Sequence, residues 1–146
     1  LPLPDGRVWL SVGGGGIDIV DPVIGRVAQL RPDPQRPFSA LPKGRVLGMA
    51  TGPRGEVYIG TQQGLYRSDS QGRRVMRLNV PGRSPTAAVW ALCQDAGVLW
   101  FGGLDGLWAL DLQSANQPAL LRHEDGERTA STIRISHAST NGTGKR

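Results

Sequence analysis

Val57-Tyr58-Ile59-Gly60-Thr61-Gln62-Gln63-Gly64-Leu65 is the stretch on which the reading of the fold turns. β-Branched and aromatic residues followed by Gly-Thr, a polar pair and a Gly-Leu restart describe a strand, a tight turn and a second strand. The opening of this stretch recurs, as Gly6-Arg7-Val8-Trp9-Leu10-Ser11, Gly55-Glu56-Val57-Tyr58-Ile59-Gly60 and Gly97-Val98-Leu99-Trp100-Phe101-Gly102. Trp9, Tyr58 and Trp100 stand 49 and then 42 residues apart, the period of a four-stranded propeller blade rather than of a helical repeat. Each copy therefore predicts one small antiparallel sheet, and the structural role predicted for these three aromatics is packing between blades.

The register extends beyond the phrase. Six residues after Tyr58 and Trp100 come Gly64 and Gly106, each followed by an apolar residue, Leu65 or Leu107. Trp9 reaches Ile17 after eight, because the Gly13-Gly14-Gly15-Gly16 run carries one extra residue. Asp21, Asp69 and Asp111 lie four residues beyond these apolar positions. Asp bonds its own nearby backbone in turns, so a turn-forming role is predicted for all three.

Composition points the same way. With 21 Gly and 11 Pro in 146 residues, turns are frequent and long helices disfavoured, as in all-β chains. The net charge of +5 comes from 17 cations, 15 of them Arg, spread through turns and strand ends, with Arg73, Arg74 and Arg77 the only close group. Nucleic-acid binding would gather cations on one stripe with aromatics interleaved, so it is not expected. Cys93 has no partner for an internal disulfide and sits in the apolar run Val89-Trp90-Ala91-Leu92-Cys93, which predicts a buried small hydrophobe. No segment approaches the roughly 18 to 20 continuous apolar residues of a membrane span, so no membrane contact is expected of the segment itself.

The expected organisation is a partial β-propeller over residues 1–146, with blade equivalents at about 1–40, 41–84 and 85–125, and residues 126–146 beginning the next. The first strand of a unit is nearly all apolar, as for a strand buried closest to the axis. Strands are predicted at Val46–Ala50, Val57–Thr61, Leu65–Ser68 and Val75–Val80, and again at Val89–Cys93, Leu99–Gly102, Leu107–Leu110 and Ala119–Arg122. The Pro-rich stretch from Arg31 to Pro37 cannot supply a ladder and reads as an inter-blade loop. The chain opens in the turn before a second strand and closes on a first-strand candidate, Ile133-Arg134-Ile135-Ser136-His137. The expectation is a piece of a longer protein, whose edge strands favour self-association or leave it poorly stable alone.

The pattern of an apolar strand, an Asp/Gly turn, an apolar-aromatic-apolar-Gly-Thr strand and a Gly-Leu start to the third strand resembles the two-component regulator propeller repeat. Residues 57–65 match best; residues 99–107 differ mainly at Gly103, where Thr is usual, and the first copy has Ser11 in the Gly position. Proteins with this repeat are commonly bacterial membrane sensors, with a periplasmic propeller ahead of a histidine kinase or diguanylate cyclase. The resemblance implies a non-catalytic, periplasmic sensory segment whose output lies elsewhere.

Candidate chemistry is sparse. His123 and His137 are the only histidines, and neither they nor Cys93 stand at metal-ligand spacing, so no metal or cofactor is expected. The Gly13–Gly16 run lacks the Lys-Ser/Thr of a phosphate loop and reads as a turn. Glu124-Asp125-Gly126-Glu127 lacks calcium-loop spacing and reads as a solvated loop. Ligand binding would fall where the turns between second and third strands meet the inter-blade loops. The candidates there are Arg45, Gln62, Gln63, Arg83 and Asp105, whose amide, carboxylate and guanidinium groups suit an oligosaccharide or a small anion. Two other functions compete: a streptogramin lyase-like propeller enzyme, for which His137 is the candidate histidine, and an interaction scaffold of the WD-repeat type, whose Gly-His and Trp-Asp marks are absent.

Overall fold

Every strand-forming stretch of the repeat is closed off by a turn that the sequence supplies, and three antiparallel sheets result. The computed structural model describes residues 1–113 and 118–125. The first-strand candidate Ile133–His137 lies outside these residues. The first sheet comprises β1 (Val8–Val12), β2 (Gly16–Asp21) and β3 (Gly25–Leu30). The second comprises β4 (Val46–Thr51), β5 (Val57–Thr61), β6 (Gly64–Ser68) and β7 (Val75–Arg77). The third comprises β8 (Ala91–Asp95), β9 (Val98–Gly103), β10 (Gly106–Asp111) and β11 (Ala119–Glu124). In each sheet sequence neighbours pair in order, giving an all-β meander with no helix among the described residues. The architecture is blade-like, and the described residues do not close a ring.

The repeated Asp residues form the turns predicted for them. Asp21 Oδ1 accepts from the amides of Val23 (2.8 Å) and Ile24 (3.1 Å). Asp69 Oδ1 accepts from Gln71 and Arg73, and Asp111 Oδ1 from Gln113. The glycine run is the β1–β2 turn, with Gly14 and Gly15 at φ 81° and 87°. Arg31 to Pro37 contains no strand, as expected.

Burial shows how the sheets stack. All five residues of β5 are buried, whereas β1 buries only Trp9 and β9 buries the alternate positions Leu99 and Phe101. A strand buried on both sides belongs to a sheet covered on both faces. Trp9, Ile17 and Ile19 of the first sheet pack against Val57, Ile59 and Tyr66 of the second. Tyr58 and Leu65, on the opposite face of that second sheet, pack against Leu99, Phe101, Trp108 and Leu110 of the third. Edge strand β4 lies beside β8, and β1 comes close to β4.

The turns lock this stack as well. A Cβ on Gly15 would collide with the Gly44 carbonyl, and one on Gly64 with the Pro85 carbonyl. In both cases the turn between second and third strands lies against the loop that leads into the following blade. Gly is required here by close backbone approach as well as by φ, +87° and +123° respectively.

Several expectations need correcting. First strands are not the most deeply buried: β4 is mostly half-buried and β8 alternates between exposed and half-buried, because they form the open edge of their sheets. β8 begins two residues late, since the Val89 amide donates to Thr61 O of the second sheet (2.9 Å). β7 stops at Arg77; Leu78 still donates to Leu65 O, but the chain then turns at Pro81 and Gly82. Cys93 is exposed, because its face of the third sheet is uncovered among the described residues. Trp100 is half-buried for the same reason, while Trp9 and Tyr58 are fully enclosed. Trp90 is exposed in the loop before β8. Glu124 ends β11 and is buried, not part of a solvated loop.

Candidate ligand face

The five candidate residues fall into two groups at equivalent points of successive blades, and each group is tied into the protein by its own bonds. In the first group, Gln62 Oε1 accepts from the Arg45 amide (2.8 Å), and the Gln62 amide donates to Arg45 O (3.1 Å). Gln63 Nε2 donates to Lys43 O (2.9 Å), while its amide donates to Thr61 Oγ1 (3.0 Å). Both glutamine heads thus clamp the loop entering β4. That occupies part of the hydrogen-bonding capacity for which they were singled out.

In the second group, the Arg83 side chain is almost wholly buried and pairs with Asp105, Nε to Oδ2 at 2.8 Å. The Nε–H is not aligned for a hydrogen bond, so this contact is an ion pair; Nη2 donates to Ala88 O (3.0 Å) and to Asp105 Oδ1 (3.4 Å). The guanidinium lies 5.2 Å from the Phe101 ring centroid and 5.8 Å from that of Trp108, within cation–π range. Trp108 Nε1 donates to Asp105 Oδ2 (2.9 Å), and His123 Nε2 is 2.8 Å from Asp105 O. The His123 ring stacks on Trp108 with centroids 3.6 Å apart. Asp105 is therefore held by Arg83 and Trp108, an arrangement that anchors the β9–β10 turn.

Trp108 and His123 are the members of this cluster that sequence reasoning did not place. Trp108 had a signal, since it occupies the repeat position of Tyr66. His123 had none: it meets Trp108 because β11 pairs with β10 in a register that sets the two opposite each other.

Charged clefts lie elsewhere among the described residues. One, of about 270 Å³, is lined by Arg54, Glu56, Arg67, Ser68, Asp69 and Arg74, among others. Arg54 closes one side by donating to Leu112 O (2.9 Å) and Gln113 O. Next to it the Tyr58 hydroxyl donates to Glu56 Oε2 (2.9 Å). Burial, reinforced by that carboxylate, pushes the Tyr58 hydroxyl well above the ordinary phenol value of 10.0. A second, about 210 Å³, gathers Arg31, Arg36 and Arg73 between the first and second sheets. Arg31 bonds Asp18 (2.7 Å) and Arg36 bonds Asp33 (3.0 Å), and these hydrogen bonds hold both carboxyls below the usual 3.8.

Among the described residues no group of three or more His, Cys, Asp or Glu could hold a metal ion. No described helix is long and apolar enough to cross a membrane. His137, the candidate of the lyase reading, lies outside the described residues. Compared with known proteins, the chain matches no family model and no curated protein sequence.

Proposed function

We propose that the chain is a non-catalytic propeller segment of a bacterial signalling receptor, acting outside the cytoplasm by binding a small ligand and passing a change of shape from blade to blade. The observation that carries this reading is the mechanical link between successive units. Gln62 and Gln63 hold the loop before β4, and Arg83 joins the loop before β8 to the turn at Asp105. These bonded contacts supply a contiguous route by which a displacement at one such turn would reach the entry of a blade. The cleft between the first and second sheets suits an anionic ligand such as an acidic oligosaccharide chiefly through Arg73, since Arg31 and Arg36 already hold Asp18 and Asp33.

The test is a thermal-shift series of the protein with neutral oligosaccharides, uronic-acid oligosaccharides and small inorganic anions. An acidic saccharide is expected to raise the melting temperature in wild type and to lose that effect in Arg73→Ala. The absence of stabilisation by every compound overturns the ligand-binding part of the reading.

A further inference from the structure

The cleft beside Tyr58 distinguishes the second junction from the first. Pairing registers set Tyr58, Arg67 and Met76 in a row across β5, β6 and β7, as they set Trp9, Ile19 and Ala28 across β1, β2 and β3. At the first junction this row is sealed: Trp9 and Ile19 are fully buried, and a Cβ on Gly72 of the β6–β7 turn would collide with Ile19 Cδ1. At the second, an arginine and a methionine replace the isoleucine and alanine, Met76 is 52% exposed, and a space of about 270 Å³ stands open beside them. The charges differ too, since Asp5 and Arg7 stand where the next unit has Arg54 and Glu56.

Carboxylates do not neutralise this cleft. Elsewhere guanidinium groups are consumed by ion pairs, as in Arg7–Asp5, Arg31–Asp18 and Arg83–Asp105. Arg54 instead donates through Nη1 and Nη2 to Leu112 O and Gln113 O, which fixes its guanidinium without cancelling the charge. The Arg74 side chain has no partner among the described residues. Arg67 interacts with the Tyr58 hydroxyl opposite it. The two carboxylates are committed to local bonds: Glu56 Oε1 accepts from the Arg54 amide (2.8 Å) and Oε2 from the Tyr58 hydroxyl (2.9 Å), and Asp69 Oδ1 accepts from the amides of Gln71 and Arg73. Three cations against two carboxylates leave one positive charge in excess. The rest of the wall is largely carbon, from the arginine stems and Met76.

We propose that this cleft binds a small aromatic monocarboxylate. Its carboxylate accepts charge-assisted hydrogen bonds from Arg54 and Arg74, and its ring lies against Met76 and the Arg67 guanidinium, which offer sulfur–aromatic and cation–π contacts. The single excess charge selects a monoanion, because a second anionic group would be repelled by Glu56 and Asp69. The volume is at the lower end for small-molecule sites and suits one ring. A saccharide would leave hydroxyls unpaired against the carbon wall. Arg74 and Met76 line this cleft, whereas Arg73 and Val75 line the one between the first and second sheets, because successive residues of an extended chain face opposite sides. The two sites are therefore separable, and this one does not rest on the acidic saccharide proposed for the other.

The experiment is isothermal titration calorimetry of the full-length polypeptide with benzoate as the probe, against acetate, benzyl alcohol and phthalate. Benzoate is expected to bind about tenfold or more tightly than each of the three. Arg74→Ala is expected to weaken benzoate about tenfold, Met76→Thr to narrow the gap between benzoate and acetate, and Arg73→Ala to leave benzoate unchanged. Circular dichroism checks that each variant keeps the native fold. No binding of benzoate, equal binding of benzoate and acetate, or an Arg74→Ala protein that binds benzoate like wild type overturns the proposal. Loss of benzoate binding in Arg73→Ala with Arg74→Ala unaffected also overturns it, and moves the anion to the cleft between the first and second sheets.

Discussion

Gly60 and Gly102 hold the same place in the repeat, yet alanine at the two positions should change stability in opposite directions. Neither glycine has a left-handed φ, so alanine is compatible with the backbone at both. Removing glycine flexibility from the unfolded chain stabilises by about 0.4–1 kcal/mol at a compatible site. At Gly60 the new methyl would meet Val89 Cγ1 at 2.7 Å and Val89 Cβ at 3.2 Å, and Val89 is fully buried with no room to withdraw. Overpacking of this kind costs about 1–3 kcal/mol, which outweighs the entropic gain. At Gly102 the nearest atom is 3.4 Å away, an ordinary contact, so the gain survives. Gly60→Ala should therefore lose about 0.5–2 kcal/mol and Gly102→Ala gain up to about 1 kcal/mol. Urea denaturation followed by tryptophan fluorescence measures both, with an unchanged m-value required for the comparison. Val89→Ala should cancel most of the penalty of Gly60→Ala in the double variant, because it removes the opposing methyl. A Gly60→Ala protein as stable as wild type, or a Gly102→Ala protein that loses 1 kcal/mol or more, would refute the assignment of covered and open junctions.

Arg83→Leu should cost about 1–3 kcal/mol in chemical denaturation, since it deprives Asp105 and the Ala88 carbonyl of their cationic partner. Arg83→Lys should recover only part, because an ammonium cannot stack over Phe101 as the planar guanidinium does. Ala96 is the only described non-glycine residue with positive φ, at 50°, so Ala96→Asn should raise the melting temperature by a few degrees. The Asp18 carboxyl is lowered from 3.8 chiefly by its hydrogen bond from Arg31. Its contribution is present above the unfolded value and is lost as pH falls through the depressed folded value; Asp18→Asn should shrink the acid-induced loss of stability measured by denaturation below pH 3.8. For Tyr58 the sign is reversed: a raised folded value keeps the hydroxyl neutral while the unfolded chain ionises near 10.0. Stability should fall as pH rises above that point, and Tyr58→Phe should flatten this alkaline limb in pH-dependent melting.

The strands were legible because their signals are local. Val-Tyr-Ile-Gly-Thr favours an extended chain on its own, and Asp21, Asp69 and Asp111 close turns with amides only two to four residues away. What escaped was set by partners distant in sequence. Val89-Trp90 reads as the start of a strand, but the Val89 amide is engaged by Thr61 of another sheet. Cys93 and Trp100 read as interior residues because an apolar run does not reveal which face is covered. The polar candidates were chosen by where the turns between second and third strands should meet the inter-blade loops, and Arg83 and Asp105 do meet there. That placement did not reveal that Trp108 and His123 complete the cluster, because their meeting depends on the pairing of β10 with β11.

The ionic group at Asp18 bears on a hazard common to all stacked units. A stack whose two end faces complement each other can add copies head to tail without closing, and so grow into fibres. Here one end offers Trp100 and Leu107, while the other offers a carboxylate already paired with Arg26 and Arg31. The mismatch between these two faces comes from a single position, Asp18, where the other two blades carry Tyr66 and Trp108. A carboxylate there makes a head-to-tail contact between the two faces costly, because its ion pairs would have to be buried or broken.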